Sequence, residues 1–128
     1  MPVRITDLNY GGHLGNDRIL AIVHEARMAF LQQWNYTEMD AGGCGLIMAD
    51  SAIQYKGEGF YGDILQVDLA VGQVSSLSFD LYYRIQTERQ GKQLPIAWVK
   101  TGMICFDYRE RKITAMPPPL HQHLSTCI

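Results

Sequence analysis

The sequence predicts an α+β fold in which about five strands form a curved antiparallel sheet around one long central helix. Apolar residues recur every three or four positions over residues 17 to about 34, as they do in helices. Beyond the glycine-rich break at residues 42–45, the apolar period changes to two, which is typical of strands with one buried face. A glycine-containing loop of hairpin length at residues 89–92 separates two of the strands, so neighbouring strands are expected to run antiparallel.

The helix is the most clearly marked element. Its apolar stripe consists of Ile19, Leu20, Val23, Ala26, Phe30, Leu31 and Trp34, and no glycine or proline interrupts it. Asn16 is a favourable N-cap, because its side-chain oxygen can accept a hydrogen bond from a free amide of the first turn. Asp17 adds negative charge where the helix dipole favours it. We therefore expect the helix to begin at these two residues.

Four long strands are expected after the helix, at residues 46–55, 63–71, 77–85 and 94–107. A short fifth strand is expected ahead of the helix in "PVRIT", residues 2–6. The three consecutive prolines at residues 117–119 cannot donate ladder hydrogen bonds. We therefore expect one domain at residues 1–116, followed by a mobile or extended tail at residues 117–128.

Composition excludes several classes of protein. A chain of 128 residues, 47% of them hydrophobic, fits one domain with a real core, and its net charge of -2 lacks the basic excess of a nucleic-acid-binding surface. No apolar run reaches the roughly 18 residues of a membrane span. The three cysteines are odd in number and form no CxxC pair, which indicates a cytoplasmic protein without a disulfide framework or a metal site.

Three stretches of the sequence carry a resemblance to a known family. The segment "DLNYGGHLGND", the helix sequence "HEARMAF" and the strand "GFYGDILQVDLAV" resemble the hot-dog-fold acyl-CoA thioesterases of the 4-hydroxybenzoyl-CoA thioesterase type, over about residues 3 to 116. That family commonly shows D-x-D-x-x-G-H-V-x-N followed by E-x-A-R. The matching positions here are Asp7, Asn9, Gly12, His13, Leu14, Asn16, Glu25, Ala26 and Arg27.

The resemblance implies an enzyme that hydrolyses an acyl-CoA or acyl-carrier-protein thioester to the free acid and the thiol. It also implies a homodimer or homotetramer with no cofactor. The acyl pocket is expected at the dimer interface, between the loop before the helix and partner residues near 48–51. Family members have several more residues before the first strand, so the natural start is expected to lie upstream of Met1.

Asn9 departs from the family pattern, which has an aspartate that serves as nucleophile or general base at this position. An amide cannot accept a proton at neutral pH and is a poor nucleophile. Asn9 is therefore expected to orient a water molecule or the thioester carbonyl. Three residues remain as the base: Asp7, which would share a strand face with Asn9, then His13, and then Glu25. Asp7 is slightly preferred over His13, because it is nearest to Asn9 in sequence.

The glycines and backbone amides of the same segment are expected to bind substrate. Negative charge develops on the carbonyl oxygen during hydrolysis, and amides at a helix start are suitable donors to it. The free amides around Leu14, Gly15 and Asn16 are the expected oxyanion donors. The expected substrate-binding residues are Gly11, Gly12, Leu14 and Gly15, and the missing side chains of Gly11 and Gly12 let the backbone approach a ligand.

Other interpretations of these residues remain open. Asn16 and Asp17 also fit a simple helix cap, Glu25 and Arg27 also fit solvated helix positions, and the scattered basic residues, Arg89 among them, are interpreted mostly as surface charges. Two other functional classes are also open. One is an enoyl-CoA hydratase or dehydratase, and the other is a non-catalytic acyl-CoA-binding protein, which Asn9 favours.

Overall fold

The computed structural model describes residues 1–9, 12 and 14–128 of the chain. Two short 3-10 turns, Ile5–Asp7 and Asn16–Arg18, precede helix α1, Ile19–Gln32. The strands then follow as β1 (Gly45–Tyr55), β2 (Leu65–Val74), β3 (Ser78–Arg89), β4 (Lys92–Asp107) and β5 (Lys112–Ile113). A second helix, α2, comprises Pro118–Ser125.

The five strands form one antiparallel sheet with the order β1-β4-β3-β2, and β5 pairs with the end of β4. This arrangement confirms the predicted fold class. Strands β3 and β4 are joined by Gln90 and Gly91, whose φ angles of 53° and 76° are the left-handed values that a tight two-residue hairpin turn requires. Strand β2 forms one edge of the sheet.

The fifth strand is not the one that was predicted. Residues 2–6 form no strand: Pro2 makes an isolated bridge with Ile64, and the 3-10 turn begins at Ile5. The Val3 amide donates to the Asp63 carbonyl at 2.8 Å and the Leu65 amide donates to the Met1 carbonyl at 2.7 Å, but the 3-10 turn that starts at Ile5 ends this pairing. The fifth strand is instead β5, which follows the turn after β4.

Helix α1 begins differently from the predicted N-cap at Asn16. Asn16 lies inside the 3-10 turn, whose preceding residue is Gly15, and neither this turn nor α1 has a side-chain cap. The turn is closed by the Arg18 amide, which donates to the Gly15 carbonyl at 3.0 Å. The tighter i to i+3 bonding of the turn replaces the expected cap.

One face of α1 packs into the apolar core against the sheet. Val23 and Leu31 are fully buried and belong to the same apolar cluster as Leu81 and Ile85 of β3. The other face of the helix, which includes Ala21 and Glu25, is exposed. One side of the helix is therefore available to a ligand or a partner.

Arg27 is not a solvated helix residue, because its side chain is only 6% exposed. Its Nη1 donates to the Tyr83 hydroxyl at 3.2 Å, and its Nε donates to Glu38 Oε1 at 3.4 Å. The Tyr83 hydroxyl also shares a 2.8 Å hydrogen bond with Thr101. Buried polar groups are costly unless they are paired, and this network pairs them while it ties α1 to β3 and β4.

The expectation of a mobile or extended tail at residues 117–128 is wrong. The prolines do not prevent helix formation there, because they occupy the first positions of α2, where a helix needs no amide donor. Leu120 and Leu124 are fully buried, and His123 stacks on Trp34 with 4.7 Å between ring centroids. Within the described part of the chain, neither helix is long and apolar enough to span a membrane.

We predict that Leu120→Ala lowers the free energy of unfolding by about 2–5 kcal/mol, because it leaves a cavity in a closed core. Chemical denaturation monitored by fluorescence measures the change. The matched control is Ile128→Ala, which removes a side chain that is 75% exposed and should change stability by less than about 0.5 kcal/mol. Equal stabilities of the Leu120→Ala and Ile128→Ala variants would show that α2 is not part of the core.

Candidate functional site

The segment before α1 folds back on itself and docks against the β1–β2 loop. The Gly15 amide donates to the Asp7 carbonyl at 2.7 Å, and Leu14 forms an isolated bridge with Leu8. The Leu14 amide donates to the Gly59 carbonyl at 2.6 Å. These bonds fix the start of the helical segment. The predicted site residues His13 and Gly11 lie outside the described residues.

Asp7 is buried and held by Arg4. Its Oδ2 accepts hydrogen bonds from the Arg4 amide at 2.9 Å and from Arg4 Nε at 3.2 Å, while Arg4 Nη2 lies 3.2 Å from Oδ1. These hydrogen bonds hold the pKa of Asp7 below its usual range. A lower pKa makes a carboxylate a weaker proton acceptor, so this contact counts against Asp7 as the general base.

Asn9 occupies an environment unlike that of Asp7. The expected shared strand face is wrong, since Asp7 ends a 3-10 turn and is buried, whereas Asn9 is exposed. The Asn9 carbonyl accepts the Gly12 amide at 3.1 Å, which closes a turn, and Gly12 has a φ of 76°. A positive φ of this size favours glycine. The backbone conformation alone therefore accounts for glycine at position 12, and no contact with substrate is needed to explain it.

Two of the amides predicted to face the oxyanion already have acceptors. The Leu14 and Gly15 amides donate to the Gly59 and Asp7 carbonyls, as described above. The amides of Asn16 and Asp17 precede the first hydrogen bond of the 3-10 turn, so the helix itself gives them no acceptor. The exposed turn at these two residues is therefore the better position for oxyanion donors.

Glu25 lies beside Asp7, and both line a small cavity. This cavity, of about 150 Å³, is also lined by Arg4 and Met1. Glu25 is exposed, and it makes no hydrogen bond or ion pair with another residue of the described chain. Its carboxylate is therefore available to water, in contrast to that of Asp7.

Met1 also lines an apolar groove of about 500 Å³ between α1 and the edge strand β2. The other lining residues are Ala26, Ala29, Phe30 and Gln33 of α1, and Leu65, Val67 and Leu69 of β2. The positions Ile22, Glu25, Ala26, Ala29 and Gln33 form one stripe of the helix, so the carboxylate cavity and the groove adjoin. A ligand with a polar end and an apolar group fits this arrangement.

A larger cavity, of about 600 Å³, lies next to the turns at the start of β1 and the end of β4. It is lined by Cys44, Phe106 and Arg109, among others, and by none of the predicted site residues. Within the described part of the chain, no three histidine, cysteine, aspartate or glutamate side chains are grouped closely enough to hold a metal ion. The candidate residues Asp7, Asn16 and Glu25 lie instead around the start of α1, which is taken as the candidate site.

Sequence reasoning missed several residues that build this site. Arg4 lies three residues before Asp7, a spacing at which a pair of opposite charges in a turn is a detectable signal. Asp63 and Arg89 are 26 residues apart, and no local pattern indicates that they pair. Gly59 belongs to the quoted "GFYGD" stretch, but its contact with Leu14 requires the tertiary fold.

Comparison with known proteins identifies related sequences and folds. The family model of the thioesterase-like superfamily matches residues 3–124. No curated protein matches the chain significantly in sequence. The fold is similar to that of YbaW, a probable thioesterase from Escherichia coli, with 24% identity, a TM-score of 0.81, and coverage of 100% of this chain and 96% of that chain.

Two further similar structures bear the names of specific CoA thioesterases. Slr0204, a 1,4-dihydroxy-2-naphthoyl-CoA thioesterase from Synechocystis, has 23% identity and a TM-score of 0.84, and the match covers 98% of this chain and 92% of that chain. A DHNA-CoA thioesterase from Staphylococcus aureus has 20% identity and a TM-score of 0.85, with coverage of 98% and 86%. These likenesses confirm the predicted hot-dog fold.

The Arg4–Asp7 contact predicts a pH dependence of stability. Because the folded-state pKa of Asp7 is lowered, its contribution is present above the unfolded-state pKa of about 3.9 and is lost as the pH falls through the folded-state value. Asp7→Asn should therefore be less stable than the wild type at pH 7, and the difference should shrink below about pH 4. Denaturation curves at several pH values measure this.

The control for this experiment is Asp17→Asn, which removes an exposed carboxylate without an ion pair to another described residue. The stability difference between Asp17→Asn and the wild type should change less with pH than the difference between Asp7→Asn and the wild type. A difference for Asp7→Asn that stays constant down to pH 2 would contradict the assignment.

Proposed function

Because the chain belongs to the thioesterase-like superfamily, we propose that it hydrolyses the thioester bond of an acyl-coenzyme A to the free acid and the thiol. The observation that carries this proposal is the apolar groove along α1 that adjoins a cavity lined by two carboxylates. The groove suits an acyl group, and the cavity suits a reacting thioester with its water. The substrates named for two similar structures are CoA esters, which favours coenzyme A over a carrier protein as the thiol.

Hydrolysis begins when water attacks the thioester carbon. The carbonyl oxygen then gains negative charge, which the amides of Asn16 and Asp17 stabilise by donating hydrogen bonds. The intermediate collapses to the free acid with loss of the thiolate of coenzyme A, which takes up the proton that the base removed from water. Asn9, at an exposed turn of the same segment, orients the water or the carbonyl through its side-chain amide.

We assign removal of the proton from water to Glu25. Glu25 lies eight residues after Asp17, about 12 Å along the helix axis, and helix side chains lean toward the N-terminus. In the proposed complex, the thioester carbonyl and the attacking water molecule lie between the amide donors and the glutamate. Asp7 stays ionised in its contact with Arg4, and its role is to shape the cavity. His13 is the alternative base, because its ordinary pKa of about 6.5 suits proton transfer at neutral pH.

We further propose that the chain forms a homodimer, or a tetramer of two such dimers, through the edge strand β2. The Leu65 backbone on this edge is already hydrogen-bonded to Met1. A partner pairs the strand beyond Leu65 and covers the groove beside Val67 and Leu69, which are only partly buried. Residues 48–51, predicted to line the pocket from the partner, lie on β1 at the other side of the sheet. We place the acyl group in the groove beside β2, because this groove is apolar and adjoins the carboxylate cavity.

The function and the base are tested together by release of coenzyme A from a panel of acyl-CoA esters. We expect steady turnover by the wild type and a loss in kcat on the order of 10²-fold or more for Glu25→Gln. His13→Gln should retain most of kcat, because His13 is not the assigned base. The matched control is Glu110→Gln, an exposed glutamate far from α1 in sequence.

Other outcomes would contradict parts of this proposal. A loss in kcat on the order of 10²-fold in His13→Gln, with kcat of Glu25→Gln unaltered, would assign the base to His13. Tight binding of acyl-CoA without release of coenzyme A would identify a non-catalytic binding protein, the class that Asn9 favours. Addition of water to an enoyl-CoA would identify a hydratase.

We expect sedimentation at micromolar concentration to give a dimer or a tetramer. Leu69→Lys should shift the species toward monomer, because it places a charge in the covered groove. Ile113→Lys on β5, at a position that is already 51% exposed, should leave the assembly unchanged. A wild-type monomer would contradict the proposed use of β2.

A further inference from the structure

The loop between β1 and β2, residues 56–64, is held by one arginine from the opposite hairpin. Arg89 Nη2 donates to Asp63 Oδ2 at 2.8 Å, and Arg89 Nε lies 3.1 Å from Oδ1. Nη2 also donates to the Glu58 carbonyl, and the guanidinium lies 4.8 Å from the centroid of the Phe60 ring. One side chain therefore contacts both ends and the middle of the loop.

The loop adds its own bonds to this contact. The Phe60 amide donates to Asp63 Oδ2 at 2.8 Å, and the Asp63 amide donates back to the Phe60 carbonyl at 3.0 Å. The Asp63 side chain is only 11% exposed, and its hydrogen bonds to Arg89 hold its pKa below the usual range. A partly buried pair of this kind, with two bonds in a fork geometry, fixes position better than an exposed ion pair does.

The part of the loop between the two anchored ends contacts the candidate site. The Gly59 carbonyl accepts the Leu14 amide at 2.6 Å. The packing is so close that a Cβ on Gly59 would lie 2.9 Å from the Leu14 Cβ. Leu14 is buried and precedes the turn that presents the Asn16 and Asp17 amides. The loop therefore sets the position of the helix start.

We propose that Arg89 is a positioning residue that acts through the loop to hold Leu14 and, with it, the oxyanion donors at the start of α1. This proposal rests on the proposed function for its effect on catalysis, but the positioning of Leu14 does not depend on it. Without Arg89, the loop keeps its contacts with the N-terminal segment, such as the 2.8 Å bond from the Val3 amide to the Asp63 carbonyl. It loses the side chain that binds both Glu58 and Asp63. Transition-state stabilisation is sensitive to small displacements of such donors.

The chain offers a matched control. Arg84 lies on the same strand and pairs with Asp68 at 3.1 Å, but both side chains are well exposed, at 60% and 41%, and the pair joins β3 to β2 without contacting the loop. Arg84→Met and Arg89→Met remove the same charge from the same strand. A difference between these two variants therefore reports the contact and not the charge.

Hydrogen exchange of the Leu14 amide tests the positioning directly, on the full-length protein. Exchange at Leu14 should accelerate by on the order of tenfold or more in Arg89→Met and Asp63→Asn, and remain within about twofold of the wild type in Arg84→Met. Amides in the middle of α1 and β3 should be unchanged. Arg89→Lys keeps the charge without the fork, and should give an intermediate rate at Leu14.

Kinetics test the catalytic consequence. In Arg89→Met, kcat for the best acyl-CoA should fall by on the order of tenfold while KM changes less than about threefold, and Arg89→Lys should restore part of kcat. Unchanged exchange at Leu14, or acceleration that is equal throughout the fold, would overturn the proposal. Faster exchange at Leu14 with an unaltered kcat would overturn the catalytic role of Arg89. If the wild type releases no coenzyme A, the proposed function fails, and the exchange rates still decide whether Arg89 positions Leu14.

Discussion

Two backbone hydrogen bonds fix the segment on which the candidate site depends. The Gly15 amide is bound by the Asp7 carbonyl, and the Leu14 amide is bound by the Gly59 carbonyl. Together they tie the start of α1 to the N-terminal turn on one side and to the β1–β2 loop on the other. The first amides beyond these two bonds, at Asn16 and Asp17, therefore have a fixed position and no acceptor within the helix. That combination is what stabilisation of an oxyanion requires.

The two carboxylates near this turn have different environments, and the difference suits different roles. Asp7 is buried against Arg4, which keeps it ionised and makes it a poor proton acceptor. Glu25 is exposed on the open stripe of α1, beside the groove with small alanine side chains. A carboxylate fixed by an ion pair and an exposed carboxylate thus line the same cavity. Its closeness to Asn9 in the sequence suggests Asp7 as the base, whereas the hydrogen bonds from Arg4 to Asp7 favour Glu25.

The fold class and the extents of the long elements were predictable from the sequence, because the apolar period reports which face of each element is buried. The apolar period changes from that of a helix to that of a strand beyond residue 42. This change predicts a helix followed by a sheet, and the structure has that order. The errors occurred where local signals compete with tertiary contacts. The prolines before Leu120 indicate a helix stop or an extended tail, but they also fit the first turn of a helix, and only the burial of Leu120 and Leu124 decides between these.

The residues of the site were less predictable than the fold. The pattern of the helix and its preceding loop pointed to Asp7 and Glu25, which the structure brings to one cavity. It did not indicate that the Leu14 and Gly15 amides are already bound, since their acceptors lie at Gly59 and Asp7. It also placed Arg89 among ordinary surface charges, because the partner at Asp63 is distant in sequence. Roles that depend on contacts between distant segments are not encoded in local spacing.

A crystal structure with a non-hydrolysable thioether analogue of a CoA ester that retains the acyl carbonyl tests the assigned site most directly. We predict that the carbonyl oxygen lies within hydrogen-bond distance of the Asn16 or Asp17 amide, with the acyl group in the groove beside Ala26 and Ala29. An analogue bound in the cavity lined by Cys44 and Phe106, with the α1 groove empty, would contradict the assigned site.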